Sequence, residues 1–230
     1  AIMMRAMQIP TVVGLEHISS TVAGDERVIV DGYTGSVIVD PDEKTLENYR
    51  RRATLSDEFF QSLHAEVRHP CETLDGYEIF LAANIEFPEE IQPALSWGAR
   101  GIGLYRTEFL YAKTTPDEQA HFKTYRQAVD QLNGRPLVIR TLDAGADKFH
   151  TEAIGFHEPN PFLGCRSIRL CFQQPELFRA QIRAILRVSA FGPVRIMLPM
   201  VSSLEELRWA KDIVASVQEE LTSESIHFDP

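Results

Sequence analysis

Short apolar runs alternate with amphipathic segments in the second half of the chain. Because strands that alternate with helices form βα units, this order predicts a parallel sheet. The predicted strands are near-continuous apolar runs, as expected when both faces of a sheet are covered. They lie at 79–83, 101–105, 136–139 and 194–198. The segments with helical periodicity lie at 89–98, 115–132, 175–190 and 203–221.

Two of these helices have recognisable start signals. In Thr115-Pro116-Asp117-Glu118, we expect Thr115 to cap the helix, with proline at the first helical position. Ser203-Leu204-Glu205-Glu206 has the serine and the glutamate of a capping box.

The first part of the chain has a different pattern. β-branched runs at 11–14, 28–30 and 36–39 predict short strands, with a turn at 31–35. Residues 43–68 then have helical spacing with many charged positions, which predicts a long, exposed connecting helix.

Two architectures suit the βα units of the second half: an open doubly wound sheet and a (βα)8 barrel. No glycine-rich dinucleotide fingerprint follows the first strand, which weakens the open-sheet alternative. In a barrel, the ligand lies at the carboxyl ends of several strands.

Charge excludes some classes of partner. Lys plus Arg number 23 against 33 Asp plus Glu among 230 residues, a formal net charge of −10. This balance argues against a nucleic-acid binder and against an anionic membrane surface, and no apolar run is long enough for a transmembrane helix. Cys71, Cys165 and Cys171 lack metal-site spacing, and we expect free thiols in a reducing cytoplasm.

Four basic residues follow the apolar runs and are the main indication of chemistry. Arg106 and Arg140 come directly after the second and third predicted strands, and Lys148 and Arg166 follow in the next connection. Because the planar guanidinium fork matches phosphate and carboxylate oxygens, their convergence predicts a pocket for a small anion.

Each basic residue also has an alternative interpretation without a ligand. Arg106 could pair locally with Glu108, Arg140 could form a similar pair, and Lys148 and Arg166 could lie on the surface. We expect the nearby carboxylates to orient the arginines and not to bind a metal: Glu108, Asp143 and Asp147.

Several segments resemble enzyme I of the bacterial phosphoenolpyruvate-dependent sugar phosphotransferase system. The motifs are at 101–111, 139–148 and 160–169, with further similarity at 181–192 and 196–200. Residues 1–14 resemble the segment after that family's phosphorylated histidine.

The resemblance implies an α/β fold with three parts. Residues 1–41 would be the C-terminal tail of a β-rich phosphohistidine swivelling domain, and residues 42–70 a linker helix. Residues 71–230 would be the first half of the phosphoenolpyruvate-binding (βα)8 TIM barrel, with about four βα units.

The resemblance also implies an enzyme, a phosphoenolpyruvate-protein phosphotransferase. That family moves the phosphoryl group of phosphoenolpyruvate to its own histidine and then to HPr, with Mg2+ as cofactor. By motif match, Arg106 and Arg140 would clamp the phosphate, and Lys148 and Arg166 would support it.

We expect no catalytic residue and no metal ligand within these 230 residues. The family's histidine would precede Ala1, its catalytic cysteine and Mg2+ carboxylates would follow Pro230, and HPr would bind an N-terminal domain. The expectation is therefore an inactive fragment of a cytoplasmic homodimer, with no nucleic-acid partner and no membrane insertion.

Two alternatives remain: a non-catalytic phosphoenolpyruvate-sensing module and a nitrogen-regulatory paralogue of enzyme I. The chain also departs from the family pattern in the motifs that hold Lys148 and Arg166. Ala146 stands where the family has glycine, beside Lys148, and Cys165 stands where it has tryptophan.

Overall fold

The computed structural model describes residue 4 and residues 9–22, 24–67, 69, 71–111, 114–144 and 165–230. The chain forms two units, Ala1–Pro70 and Cys71–Pro230.

An antiparallel hairpin is the β structure of the first unit. Strand β1 (Val28–Asp31) pairs with β2 (Ser36–Val39) along its whole length. Asp31 fixes the turn, because its Oδ1 accepts hydrogen bonds from the backbone N–H groups of Tyr33 (2.9 Å) and Thr34 (3.1 Å). Both strands were predicted and are confirmed.

The third predicted strand of this unit, at 11–14, is wrong. This segment has irregular backbone, and Gly14 has a φ of 83°. Val13 is 69% exposed, so the β-branched run has no buried face on which a sheet would form. A helix one turn long, α1 (Ile18–Thr21), precedes the hairpin.

The long, exposed helix predicted at 43–68 is confirmed as α2 (Glu43–Glu66). It begins at Asp42, whose side chain accepts a hydrogen bond from the backbone N–H of Thr45 at 2.7 Å. All 24 of its residues are described and none of them is buried.

A four-stranded parallel sheet forms the centre of the second unit, as predicted. Its strands are β3 (Ala83–Ile85), β4 (Ile102–Tyr105), β5 (Leu137–Arg140) and β6 (Val194–Met197). They lie side by side in chain order, β3-β4-β5-β6. A doubly wound sheet reverses its strand order at a switch point, whereas this order does not reverse and is that of half a (βα)8 barrel.

Helices cover one side of this sheet. They are α3 (Ile91–Ser96), α4 (Glu118–Leu132), α5 (Ile168–Gln173), α6 (Pro175–Ser189) and α7 (Leu204–Ser223). Short 3-10 helices follow β3 (Pro88–Glu90) and β4 (Glu108–Tyr111).

Two apolar clusters join these layers. In the first, Tyr105 and Ile139 of the sheet pack against Tyr125 of α4 and Ile185 of α6. In the second, α5, α6 and α7 pack together around Phe178. Each element thus buries its apolar stripe against a neighbour, which fixes the strand ends relative to one another.

An ion-pair network ties α6 to the helices on both sides. Arg183 of α6 pairs with Glu118 of α4 at 2.7 Å and with Glu220 and Glu224 of α7 at 3.1 and 2.7 Å. Arg187 pairs with the same Glu118 at 2.5 Å. These shared carboxylates hold the three helices in register.

Two local predictions differ from the structure, and one is confirmed. The strand predicted at 79–83 begins only at Ala83, because 79–82 lies outside the parallel ladder with Phe80 54% exposed. Asp117, not Thr115, caps α4 and accepts a hydrogen bond from Ala120 N–H at 2.8 Å. The capping box at Ser203 is present as predicted.

Candidate functional site

The strand register places Arg106 and Arg140 at the same edge of the sheet. Tyr105 of β4 is aligned with Ile139 of β5, so the arginine that follows each of them is at an equivalent position. Tyr105 and Ile139 face the helices, and side chains alternate along a strand. The side chains of both arginines therefore leave the backbone on the face of the sheet opposite α4 and α6.

Arg140 is held by two carboxylates. Its Nη2 lies 2.7 Å from Glu108 Oε1, and its Nη1 lies 3.0 Å from Asp143 Oδ2. Only 17% of the Arg140 side chain is exposed, so solvent screens these pairs poorly. Glu108 Oε1 also accepts a hydrogen bond from Asp143 N–H at 3.2 Å, which closes the group. Glu108 and Asp143 thus pair with an arginine, and their expected role of orienting it for a ligand stays a prediction.

Asp143 also joins Arg140 to Arg166. Its Oδ1 lies 3.1 Å from Arg166 Nη2 and accepts a hydrogen bond from Ser167 Oγ. Burial raises the pKa of Asp143, but the Ser167 hydroxyl and the two guanidinium charges outweigh burial and hold that pKa below its ordinary value. The carboxylate is therefore ionised at neutral pH and lies between two cations.

Ser167 holds this arrangement in a strained backbone conformation. Its φ of 52° and ψ of −126° are unusual for a residue with a side chain. It is fully buried, and its N–H donates to the carbonyl of Ala144 at 3.1 Å. Such strain persists only where the surroundings fix the residue, and it clusters at functional sites.

Arg106 has a different partner. Its Nη1 lies 2.8 Å from Glu86 Oε1, just after β3, so the alternative interpretation that paired it with Glu108 is wrong. Its side chain is 42% exposed, more than twice the fraction of Arg140. The sheet edge therefore has one half-exposed arginine and one nearly buried arginine, each already paired with a carboxylate.

Lys148 and Asp147 lie outside the described residues, as do residues 160–164 of the motif at 160–169. The structure thus joins Arg140 to Arg166 through Asp143 and places Arg106 at the same sheet edge. The position of Lys148 stays a prediction.

A buried polar network behind the arginines was not predicted. Gln181 of α6 is fully buried, and its Nε2 donates to Thr107 Oγ1 (3.2 Å) and to the Tyr125 hydroxyl (2.9 Å). Thr107 Oγ1 in turn donates to the carbonyl of Arg140 at 3.0 Å. The sequence held one sign of this network: Gln181 lies on the apolar stripe of α6. A polar side chain buried there is expected to have hydrogen-bond partners.

The network ends at a buried histidine. His121 lies between the hydroxyls of Tyr125 (2.9 Å from Nδ1) and Tyr111 (3.0 Å from Nε2). A neutral imidazole has one donor and one acceptor nitrogen, so the ring can satisfy both hydroxyls, donating to one of them and accepting from the other. Burial lowers the pKa of His121 to about 4.

This histidine should make folding sensitive to mild acid. Between about pH 6.5 and 4 the unfolded state binds the proton and the folded state does not, so stability falls as pH decreases. We expect the free energy of unfolding, measured with urea, to fall by about 2 kcal/mol more in the wild type than in His121→Gln between pH 7 and 5. Ser189→Ala, at a buried residue whose side chain does not titrate, should keep the wild-type dependence. Equal slopes in the wild type and His121→Gln would contradict the assignment.

Among the described residues, no three His, Cys, Asp or Glu side chains come together as a metal site. No described helix is both long enough and apolar enough to cross a membrane.

Residues 61–230 match the family described as PEP-utilising enzyme, PEP-binding domain, and residues 1–35 match its mobile domain. The chain is similar to proteins named phosphoenolpyruvate-protein phosphotransferase. Those of Bacillus sp. (strain S) and Geobacillus stearothermophilus are 41% identical over 228 residues, and that of Priestia megaterium is 40% identical. The alignments cover 98% of this chain but only 39 to 40% of each relative, so the chain spans about two fifths of their length. On the family match over 61–230, this chain belongs to the PEP-utilising enzymes.

Proposed function

We propose that residues 71–230 bind phosphoenolpyruvate as part of a phosphoenolpyruvate-protein phosphotransferase. The observation that carries this proposal is the placement of Arg106 and Arg140 at equivalent positions on neighbouring parallel strands, with Arg166 joined to Arg140 through Asp143. Carboxyl ends of barrel strands are where ligands bind.

In this proposal the guanidinium groups take phosphate oxygens as ligands, with Lys148 as a further cation. Phosphoryl transfer depends mainly on positioning and on charge stabilisation, because negative charge spreads over the phosphoryl oxygens in the transition state. Arginine suits both tasks, since its fork fixes direction and its charge is permanent. The acceptor would be a histidine of the whole protein, and HPr the next acceptor.

The cofactor, assembly and compartment are part of the same proposal: Mg2+, a homodimer and the cytoplasm. Mg2+ prefers a set of oxygen ligands with octahedral geometry. The carboxylates described at this edge do not fit that need, because Glu86, Glu108 and Asp143 each pair with an arginine.

Calorimetric titration of the 230-residue chain with phosphoenolpyruvate tests the proposal. We expect saturable binding that weakens between 50 and 500 mM salt, because the attraction is partly screened. Pyruvate, which lacks the phosphate, is the matched control and should bind far more weakly. Equal affinities for the two ligands, or no phosphoenolpyruvate binding at millimolar concentration, would overturn the proposal.

A further inference from the structure

Gln181 connects three elements behind the arginines. Its Oε1 accepts a hydrogen bond from the backbone N–H of Leu142, just after β5, at 2.9 Å. Its Nε2 reaches Thr107, just after β4, and Tyr125 of α4. Because the Leu142 N–H can only donate, the side-chain oxygen must face it, and the amide has a single orientation.

Thr107 completes a bridge between the two arginine-bearing segments. It directly follows Arg106, is fully buried, and donates its hydroxyl hydrogen to the carbonyl of Arg140 at 3.0 Å. That hydroxyl can accept from Gln181 at the same time. The main-chain positions next to Arg106 and Arg140 are thus linked through two buried side chains.

We infer that Gln181 and Thr107 are positioning residues that set the spacing between Arg106 and Arg140. The inference rests on the proposed function, in which both arginines bind one phosphate. Neither Gln181 nor Thr107 would touch the ligand, since both are fully buried. Their effect is geometric, because small displacements of binding groups sharply reduce the stabilisation of a bound anion.

Matched substitutions test this inference in the 230-residue chain. Thr107→Val keeps the shape but loses the hydroxyl, and we expect it to weaken phosphoenolpyruvate binding about tenfold. Thr107→Ser keeps the hydroxyl and should stay within twofold of wild type. Gln181→Met removes all three hydrogen bonds and should also cost about tenfold. The double variant should be no weaker than the weaker single variant, because both act through one bridge.

Ser189→Ala is the control for a merely structural effect. Ser189 is buried on the same helix and bonds the N–H of Asp229 at 2.8 Å, away from the arginines. We expect it to lower the melting temperature without changing affinity by more than twofold. If Thr107→Val and Thr107→Ser bind equally well while wild type binds, the inference is overturned.

A ligand-free measurement separates this inference from the proposed function. In Gln181→Met, we expect faster hydrogen exchange at the Leu142 amide and a shifted NMR signal of the Arg140 Nε–H, with neither change in Ser189→Ala. If the wild type does not bind phosphoenolpyruvate, the proposed function fails. The Leu142 exchange rate and the Arg140 Nε–H signal then still test whether Gln181 positions Arg140. Unchanged signals in Gln181→Met would overturn that role.

Discussion

Arg140→Lys should weaken phosphoenolpyruvate binding about 100-fold. Lysine keeps the charge but loses the fork, and each charge-assisted hydrogen bond is worth about 1.5–3 kcal/mol. Because only 17% of the Arg140 side chain is exposed, little solvent can replace the lost hydrogen bonds. Calorimetric titration of the wild type and the variant at one salt concentration measures the ratio.

Arg135→Lys is the matched control for this change. Arg135 precedes β5, at the end of the strand opposite Arg140, and its Nη1 donates to the carbonyl of Leu132 at 3.4 Å. We expect its affinity to stay within twofold of wild type. If the two lysine variants bind equally, the clamp is not at the carboxyl edge.

Phe178→Ala should cost about 3–5 kcal/mol of unfolding free energy, the usual loss when a buried phenylalanine leaves a cavity. The side chain is fully buried in the second cluster and lies against Trp209, with ring centroids 5.1 Å apart. Urea unfolding monitored by circular dichroism at pH 7 measures this loss.

Phe172→Ala separates burial from aromatic contact. Phe172 also touches Trp209, with centroids 4.7 Å apart, but it is 51% exposed. We expect a loss of about 1 kcal/mol or less, because little apolar surface leaves a buried site. Similar losses in both variants would mean that the Trp209 contact, and not the filled cavity, carries the stability.

The sheet and the arginine edge could be predicted because their signals are local. The apolar runs before Arg106 and Arg140 predict the two strands, and their alternation with helices predicts that the strands are parallel. Parallel strands end at the same edge of the sheet, so the arginines that follow them lie at one edge. The Ser203 capping box is likewise complete within four residues. The exposed helix α2 follows from a charged helical pattern with few apolar positions.

The polar bridge could not be predicted, because its partners are distant in the chain. Gln181 and Thr107 are 74 positions apart, and no local pattern relates them. The pairing of Arg106 with Glu86 could not be predicted for the same reason: the two residues are distant in the chain. Glu108 is nearer in the sequence, but it pairs with Arg140. At 79–82, apolar composition indicated a strand, but only the register with β4 decides where pairing starts.

The carboxylate partners of the arginines have a consequence for ligand choice. Glu86, Glu108 and Asp143 already pair with the arginines, so in the proposed function an entering anion would compete with resident carboxylates. A ligand with a single charge would only replace one carboxylate by another, with no net electrostatic gain. A ligand that presents several negative oxygens to more than one arginine would compete better, so in the proposed function this edge would select by ligand charge before it selects by shape.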